Sequence, residues 1–411
     1  MSEMVGETEF KDSPVSQIPE GWETVKQGHV ANFINGRAYK LSEWEKDGVP
    51  VIRLQNLTNH GGEFYYSNLN LPEHQYCYRG DLLYMWSASF GVYIWWGAKA
   101  IFHYHIWKVT QKEEYLCKDF HMYLLEFKTQ EWKASTSGST MLHLTKSGME
   151  KLEIALPPID EQKTIASILA SVDKAIEKTE SQISKLQDLK KGMMQELLTK
   201  GIGHTKFKDS PVGRIPVGWE VKKIANLGGI LTGRTPKTSE RNYYGGQIPF
   251  ISPADLGNKP YIDETKTHLT PDGLNQTRKL TKNTVLVTCI GSTIGKTGIT
   301  AKTCATNQQI NSIICKENDY RFVFQLMTFH RDLLRSLAGT QAVPIVNKNL
   351  FSSILVQSPP LVEQQKIASI LSSIDSKIEV KQQKLQQTQN LKKSLMQDLL
   401  TGKVRVKTKR I

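Results

Sequence analysis

The stretch "PPIDEQKTIASILASVDKAIE", residues 157–177, decides the fold because it is written twice. It returns as "PPLVEQQKIASILSSIDSKIE" at residues 359–379, an offset of 202. At the same offset "LKKGMMQELLT" (189–199) returns as "LKKSLMQDLLT" (391–401). Upstream, "FKDSPVSQIPEGWE" (10–23) returns as "FKDSPVGRIPVGWE" (207–220), an offset of 197. The segment between these words therefore holds five more residues in the second copy. The chain is a tandem duplication of about 200 residues, far longer than a solenoid unit.

Neither copy of the opening word reads as helix. Pro14 and Pro19, and Pro211 and Pro216, favour extended backbone. After each Pro-Pro pair the character changes. Steps of four and three residues pick out Ile165, Leu169, Val172, Ile176, Thr179, Ile183, Leu186, Lys190, Met193 and Leu197, eight of the ten apolar. The matching series is Ile367, Leu371, Ile374, Ile378, Lys381, Leu385, Thr388, Lys392, Leu395 and Leu399, with seven. A period of about 3.5 residues marks a coiled-coil seam. It predicts two helices of about 38–40 residues, roughly 57–60 Å each at the α-helical rise. Because a whole globular segment separates them, antiparallel pairing is the simpler geometry. The alternative is two amphipathic helices, each packed on its own domain.

Residues 24–155 and 222–357 are different: short apolar runs broken by Gly, Asn and Pro predict strands and loops. "DFHMYLLEFKTQEW" and "YRFVFQLMTFHRDLLRSLAG" predict short helices. The fold class is α+β, with two globular domains in tandem, each followed by a long helix.

The chain has 411 residues, 39% of them hydrophobic, enough for folded cores, and no run long and apolar enough for a membrane span. Its opening, "MSEMVGETEF", reads as neither a signal nor a transit peptide. Five scattered cysteines form no C-x-x-C pair, so neither a disulfide framework nor a zinc site is expected. A cytoplasmic location follows. The net charge of +13 favours a polyanionic partner, which Lys and Arg attract through counterion release.

Catalytic motifs are missing. "GSTIGKTG" (291–298) imitates a phosphate-binding loop, but only three residues separate Gly291 from Gly295, where a Walker loop has four. No G-x-G-x-x-G follows an expected strand. The Asn/Asp-Pro-Pro-Tyr/Phe sequence of adenine methyltransferases is absent. "DETK" (263–266) lacks the upstream acidic partner of a nuclease site. His103 and His105 share a strand face without carboxylate or Cys neighbours, which argues for a structural or DNA-contacting role over a metal. A non-enzyme is expected, with no metal or cofactor of its own.

What remains is a pair of polar loops at matching positions. "NGRAYK" (35–40) and "TGRTPK" (232–237) each place their Gly 14 residues beyond the Trp of the GWE word. Gly36 and Gly233 permit sharp turns, while Arg37 and Arg234 suit phosphate or the O6/N7 edge of guanine. "RLQNL" (53–57) matches "SPADL" (252–256), "SASFG" (87–91) matches the region of "GSTIG", and "HYH" (103–105) matches "NQQ" (307–309). Candidate DNA contacts are Arg37, Tyr39, Lys40, Arg53, Asn56, Ser87, Ser89, His103 and His105 in the first copy. In the second they are Arg234, Thr235, Lys237, Ser252, Asp255, Ser292, Thr293, Lys296, Gln308 and Gln309. A shared frame with different donors and acceptors is what reading two different half-sites requires. A protein-binding coiled-coil adaptor is the competing reading, and a steep salt dependence of DNA binding separates the two.

The order "IP-GWE", variable domain, "PP--EQ--IA-IL---D--I", long helix, then the whole again, resembles the specificity subunit of type I restriction–modification enzymes over essentially the entire chain. In the second copy Asp160 becomes Val362, leaving Glu363 and Gln364 in place of Glu161 and Gln162. The resemblance implies two target-recognition domains that bind the halves of a split DNA sequence in the major groove, spaced by an antiparallel coiled coil. It implies an N-terminal arm and first recognition domain at 1–156, a central helix at 157–203, a second recognition domain at 204–358, a C-terminal helix at 359–403 and a basic tail at 404–411. It also implies two adenine methyltransferase subunits and two ATP-dependent endonuclease/translocase subunits as partners. S-adenosylmethionine, ATP and magnesium would be bound by those partners.

Overall fold

The computed structural model describes residues 9–58, 62–87, 89–135, 145–257, 259–339 and 343–407. They fall into two units: unit 1 comprises the chain up to Lys178 and again from Gln386, and unit 2 comprises Thr179 to Leu385.

In unit 1 the opening word is a small hairpin. Phe10–Lys11 pairs antiparallel with Ile18–Pro19, a pairing the proline spacing alone did not show. Strand Glu23–Lys26 then pairs with Glu153–Leu156, so both ends of the domain meet at the base of the long helix. The domain body holds two four-stranded sheets. One is antiparallel, in the order Ala31–Asn35, Ile106–Gln111, Leu82–Met85, Gly91–Ile94. The other is mixed, in the order Tyr65–Ser67, Val49–Ile52, Ala100–Phe102, Tyr76–Cys77. Helix Lys118–Ser135 spans 18 residues, longer than its sequence suggested.

Unit 2 repeats the plan. Phe207–Lys208 pairs with Ile215–Pro216, and Glu220–Lys223 with Leu355–Ser358. A five-stranded sheet runs Gly229–Thr232, Ile310–Ile314, Val285–Thr288, Thr297–Thr300, Tyr261–Ile262, beside a three-stranded sheet centred on Tyr244–Ile251. The counterpart of the 18-residue helix is broken at His330 into Tyr320–Phe329 and Arg331–Leu337.

The packing explains why the two repeated words keep each other's company. Trp22 is fully buried and its Nε1 donates to Glu161 Oε2 at 3.1 Å; Trp219 is equally buried and donates to Glu363 Oε2 at 2.9 Å. The neighbouring glutamines act as clamps. Gln162 Oε1 accepts from the Cys117 amide at 2.8 Å while its Nε2 donates to the Pro157 carbonyl at 2.9 Å. Gln364 does the same with the Asp319 amide at 3.0 Å and the Pro359 carbonyl at 2.9 Å. Burying these polar groups without such partners costs on the order of 1–3 kcal/mol each, so GWE and EQ are retained as a set.

The central helix runs Ile159–Thr199 and the C-terminal helix Leu361–Leu400. Each contributes to both units. In unit 1 Asp173 pairs with Lys392 at 2.9 Å and Glu161 with Arg405 at 2.7 Å, so the partner's number rises as the position along the central helix falls. In unit 2 Lys190 pairs with Asp375 at 2.6 Å, and the Ile202 amide donates to Glu363 at 3.0 Å. The helices are antiparallel in both units. Of the expected seam, Ile165, Leu169, Ile183, Leu197, Ile367, Leu371, Ile374 and Leu399 are buried; Val172, Ile176, Leu186, Ile378, Leu385 and Leu395 are half-buried. The outer seam residues serve two masters. Ile165 and Leu169 share a core with Phe120, Leu124 and Leu399, and Ile367 and Leu371 share one with Phe322, Leu326 and Leu197. The helices thus pack on each other and on their own domains.

Candidate nucleic-acid interface

Each unit builds its loop cluster around a glycine that lies against another strand's backbone. In unit 1 a Cβ on Gly36 would stand 2.3 Å from the His103 carbonyl oxygen. The Gly36 amide donates to Ile106 O at 3.0 Å and Arg37 N to Phe102 O at 3.2 Å. His103 N in turn donates to Ile52 O at 2.9 Å, which brings in the Arg53 turn. In unit 2 a Cβ on Gly233 would stand 2.0 Å from Asn307 O. The Gly233 amide donates to Ile310 O at 3.0 Å, Arg234 N to Thr306 O at 2.9 Å and Asn307 N to Ile251 O at 3.1 Å, next to Ser252. The same hydrogen bonds hold the same three loops in both copies.

On this common frame the side chains differ. In unit 1 the Arg37 Nη2 bonds Glu43, its guanidinium lies 5.1 Å from the Tyr39 ring, and Nη1 is buried with no partner among the described residues. The Arg37 bond, with the Lys40 amide, holds the Glu43 carboxyl below its ordinary range. Lys40 is exposed. The Tyr39 hydroxyl also lacks a partner, and burial pushes it up to about 12. Arg53 stacks 3.8 Å from the centre of the Tyr65 ring and donates to Glu63 O. Burial, then His105 and Arg53, lower His103 to about 4, and burial lowers His105, so His103 is neutral at pH 7. The two rings are 5.3 Å apart. Trp86, bonded through its amide to His105 O and through Nε1 to Tyr104 O, ties in the half-buried Ser87 and Ser89.

In unit 2 Arg234, Lys237 and Gln308 are exposed. Thr235 Oγ1 donates to Gln308 Oε1 at 2.6 Å. Gln309 accepts from Asn307 Nδ2 at 2.9 Å and its own carbonyl accepts from the Cys289 amide. The turn carrying exposed Ser292 and half-buried Thr293 begins at Gly291, where a Cβ would meet Gln309 Nε2 at 3.7 Å. Lys296 reaches the Pro253 carbonyl at 3.5 Å, beside Ser252.

Two candidate DNA-contact residues, Asn56 and Asp255, have their side chains engaged within their own turns. Asn56 Oδ1 accepts from the Arg53 amide at 2.9 Å and its Nδ2 donates to Gly62 O at 2.7 Å. Asp255 Oδ2 accepts from both the amide and hydroxyl of Ser252, and Oδ1 from the Lys266 amide. Both side chains are spent shaping the turns that present Arg53 and Ser252. Sequence reasoning passed over Trp86, Tyr104, Tyr65 and Glu43; the aromatic density of "MWSASFGVYIWWG" (85–97) was a visible signal for Trp86 alone. Among the described residues no group of His, Cys, Asp and Glu could hold a metal, and no helix is long and apolar enough to cross a membrane.

The family model for the type I restriction modification DNA specificity domain matches the chain twice, at residues 19–187 and 216–390. The type I restriction enzyme MjaVIII specificity subunit of Methanocaldococcus jannaschii is 31% identical over 98% of this chain and 97% of its own length. The crystal structure of a type I restriction–modification S subunit from M. genitalium superposes with a TM-score of 0.59 at 15% identity, covering 92% of this chain and 96% of that one. A chain from a structural study of type I system assembly and conformational transition gives a TM-score of 0.55 at 16% identity, covering 94% and 99%. The two structural likenesses support the fold.

Proposed function

The chain belongs to the type I restriction–modification DNA specificity family, and from that membership we infer that its two loop clusters each read one half of a bipartite DNA target. The family places a sequence-specificity function on this chain. The observation that carries the division of labour is the repeated hydrogen-bonded frame with different side chains on it. In the first domain Arg37, Tyr39, Lys40, Arg53, Ser87, Ser89, His103 and His105 face one half-site; in the second Arg234, Thr235, Lys237, Ser252, Ser292, Thr293, Lys296, Gln308 and Gln309 face the other. Neutral His103 suits a directional hydrogen bond to a base edge, exposed Arg234 suits guanine or phosphate, and the Gln amides suit adenine. Exposed Lys and Arg supply affinity through phosphates, and the loop side chains supply discrimination. Asn56 and Asp255 hold the turns.

The chain is the reading, non-catalytic part of the complex. Two methyltransferase and two endonuclease/translocase subunits complete it, with S-adenosylmethionine, ATP and magnesium bound by those partners, and the long helices set the distance between half-sites. Replacing residues 24–155 by the corresponding segment of another specificity subunit tests the reading. Mapping the adenines methylated by the reconstituted complex should show one half-site changed and the other, with the spacer, unchanged. Simultaneous change of both halves would refute independent reading.

A further inference from the structure

Unit 2 contains a cavity of about 210 Å³ where the second domain meets the long helices, lined by Lys190, Lys259, Lys296 and Arg331 among others. We propose that this cavity is a binding site for a single phosphate group. Charge bookkeeping points there first. Lys190 is neutralised by Asp375 at 2.6 Å, and Lys259 by Asp263 at 2.9 Å. Asp375 is further occupied by Gln325 Nε2 at 2.7 Å. Lys296 and Arg331 have no carboxylate partner among the described residues: Lys296 reaches only a carbonyl at 3.5 Å, and Arg331 Nε is buried without any partner. An unpaired buried guanidinium donor carries a desolvation cost that an anion would relieve.

The comparison between copies sharpens the assignment. Tyr123 in unit 1 and Gln325 in unit 2 hold equivalent helix aspartates, Asp173 at 2.7 Å and Asp375 at 2.7 Å. Three residues on, unit 1 has Glu126, which pairs with Lys392 at 3.3 Å, and unit 2 has Thr328, whose hydroxyl is bonded to Thr297 at 2.8 Å. Three residues further, unit 1 has Thr129 and unit 2 has Arg331. The second copy has thus exchanged a carboxylate for a hydroxyl and a hydroxyl for a guanidinium at one groove, leaving it cationic where the first copy is balanced. Gly295 keeps the wall clear, since a Cβ there would stand 2.5 Å from Arg331 Cγ. The cavity falls below the roughly 300–1,000 Å³ of ordinary small-molecule sites, so it takes one anionic group rather than a whole nucleotide. That agrees with the incomplete Walker spacing of the loop that carries Lys296. The phosphate has two possible sources, a DNA backbone or a free anion. Only the first rests on the family reading.

Titration of the intact chain with inorganic phosphate at constant ionic strength, followed by 31P NMR, tests the site. One saturable phosphate is expected, weakened tenfold or more in Arg331→Gln and Lys296→Gln and less in Arg331→Lys. Thr328→Glu should abolish binding with every cation retained, because it restores the first copy's carboxylate. No saturable binding, or equal affinity in all variants with wild-type thermal unfolding, overturns the proposal. Excess duplex DNA that displaces phosphate from the wild type assigns the site to the DNA backbone; joint binding assigns it to a free anion. A gel shift on the same samples tests DNA binding separately, so the pocket and the family reading fail distinguishably.

Discussion

At the scale of single residues, buried histidines and close-contact glycines make the sharpest predictions. His103 is lowered by burial to about 4, against an ordinary value near 6.5. As pH falls through 6.5 the unfolded chain takes up a proton that folded His103 refuses until about pH 4. Its stabilising contribution is therefore complete above pH 6.5 and is lost progressively down to about pH 4. His121, fully buried and lowered to about 3 by the same cause, acts in the same direction. Urea titrations at several pH values should show stability falling between pH 6.5 and 4, and His103→Asn should make that slope shallower by up to one proton. An unchanged slope would place His103 in solvent. Gly233→Ala sets a methyl 2.0 Å from the Asn307 carbonyl oxygen, which accepts from the Ile310 amide and would lose that bond on retreating. A cost of about 2–4 kcal/mol is expected, with one half-site lost in methylation mapping and the other retained. Wild-type melting and both half-sites intact would remove this glycine from the frame. The Gly positions were legible because they stand at a fixed distance from a repeated Trp. The commitments of Arg37 to Glu43, and of Asn56 and Asp255 to their turns, were not legible, because side-chain geometry decides between a cap and a base contact.

At the scale of elements, the long helices were readable from period and from the absence of proline, and at 41 and 40 residues they match the expected length to within one residue. Their partners were less readable. A 3.5-residue seam says that a stripe is buried but not by what, and the outer seam residues divide their contacts between the other helix and the domain core. Register is carried by two reciprocal ion pairs, Asp173–Lys392 and Asp375–Lys190, whose members exchange helices between copies. Burial acts to lower Lys392, yet Glu126 and Asp173 outweigh it and raise its pKa, so the amine stays charged through the physiological range. Asp375→Lys sets two cations against each other and should cost about 2–4 kcal/mol, close to the value for breaking a buried pair. Adding Lys190→Asp restores an opposite-charge pair in the reverse sense, and the double variant should recover most of the loss by thermal unfolding. Equal destabilisation in the double variant would show that the aspartate matters for its Gln325 bond rather than for helix pairing.

At the scale of the whole molecule, the decisive feature is that unit 1 is assembled from both ends of the chain while unit 2 is one continuous segment. The closure is specific. Arg405 donates to the Glu20 carbonyl at 3.1 Å and to Glu161 at 2.7 Å, and the positive φ of Gly402, +73°, lets the chain turn against Pro19 and Trp22. Unit 2 makes the same joint without a break. There Gly201, φ +70°, turns the chain beneath Trp219, while Ile202 and His204 bond Glu363 at 3.0 and 2.9 Å. The joint is thus formed once between segments distant in sequence and once within one contiguous segment, and the two are interchangeable in principle. A permutant that links residue 411 to residue 1 and opens next to Gly203, which is exposed with open space around its Cα, should fold. Its Tm should lie within a few degrees of the parent, and it should direct methylation to the same bipartite sequence with the same spacer. A permutant opened after Gln162 controls for the site of cutting: it cuts the central helix in its first turn, separating the residue that clamps Cys117 and Pro157 from the rest of the helix, and should not fold stably. If opening at Gly203 proved as damaging as opening at Gln162, the second joint would require its covalent link, and the equivalence of the two copies would end at the loops.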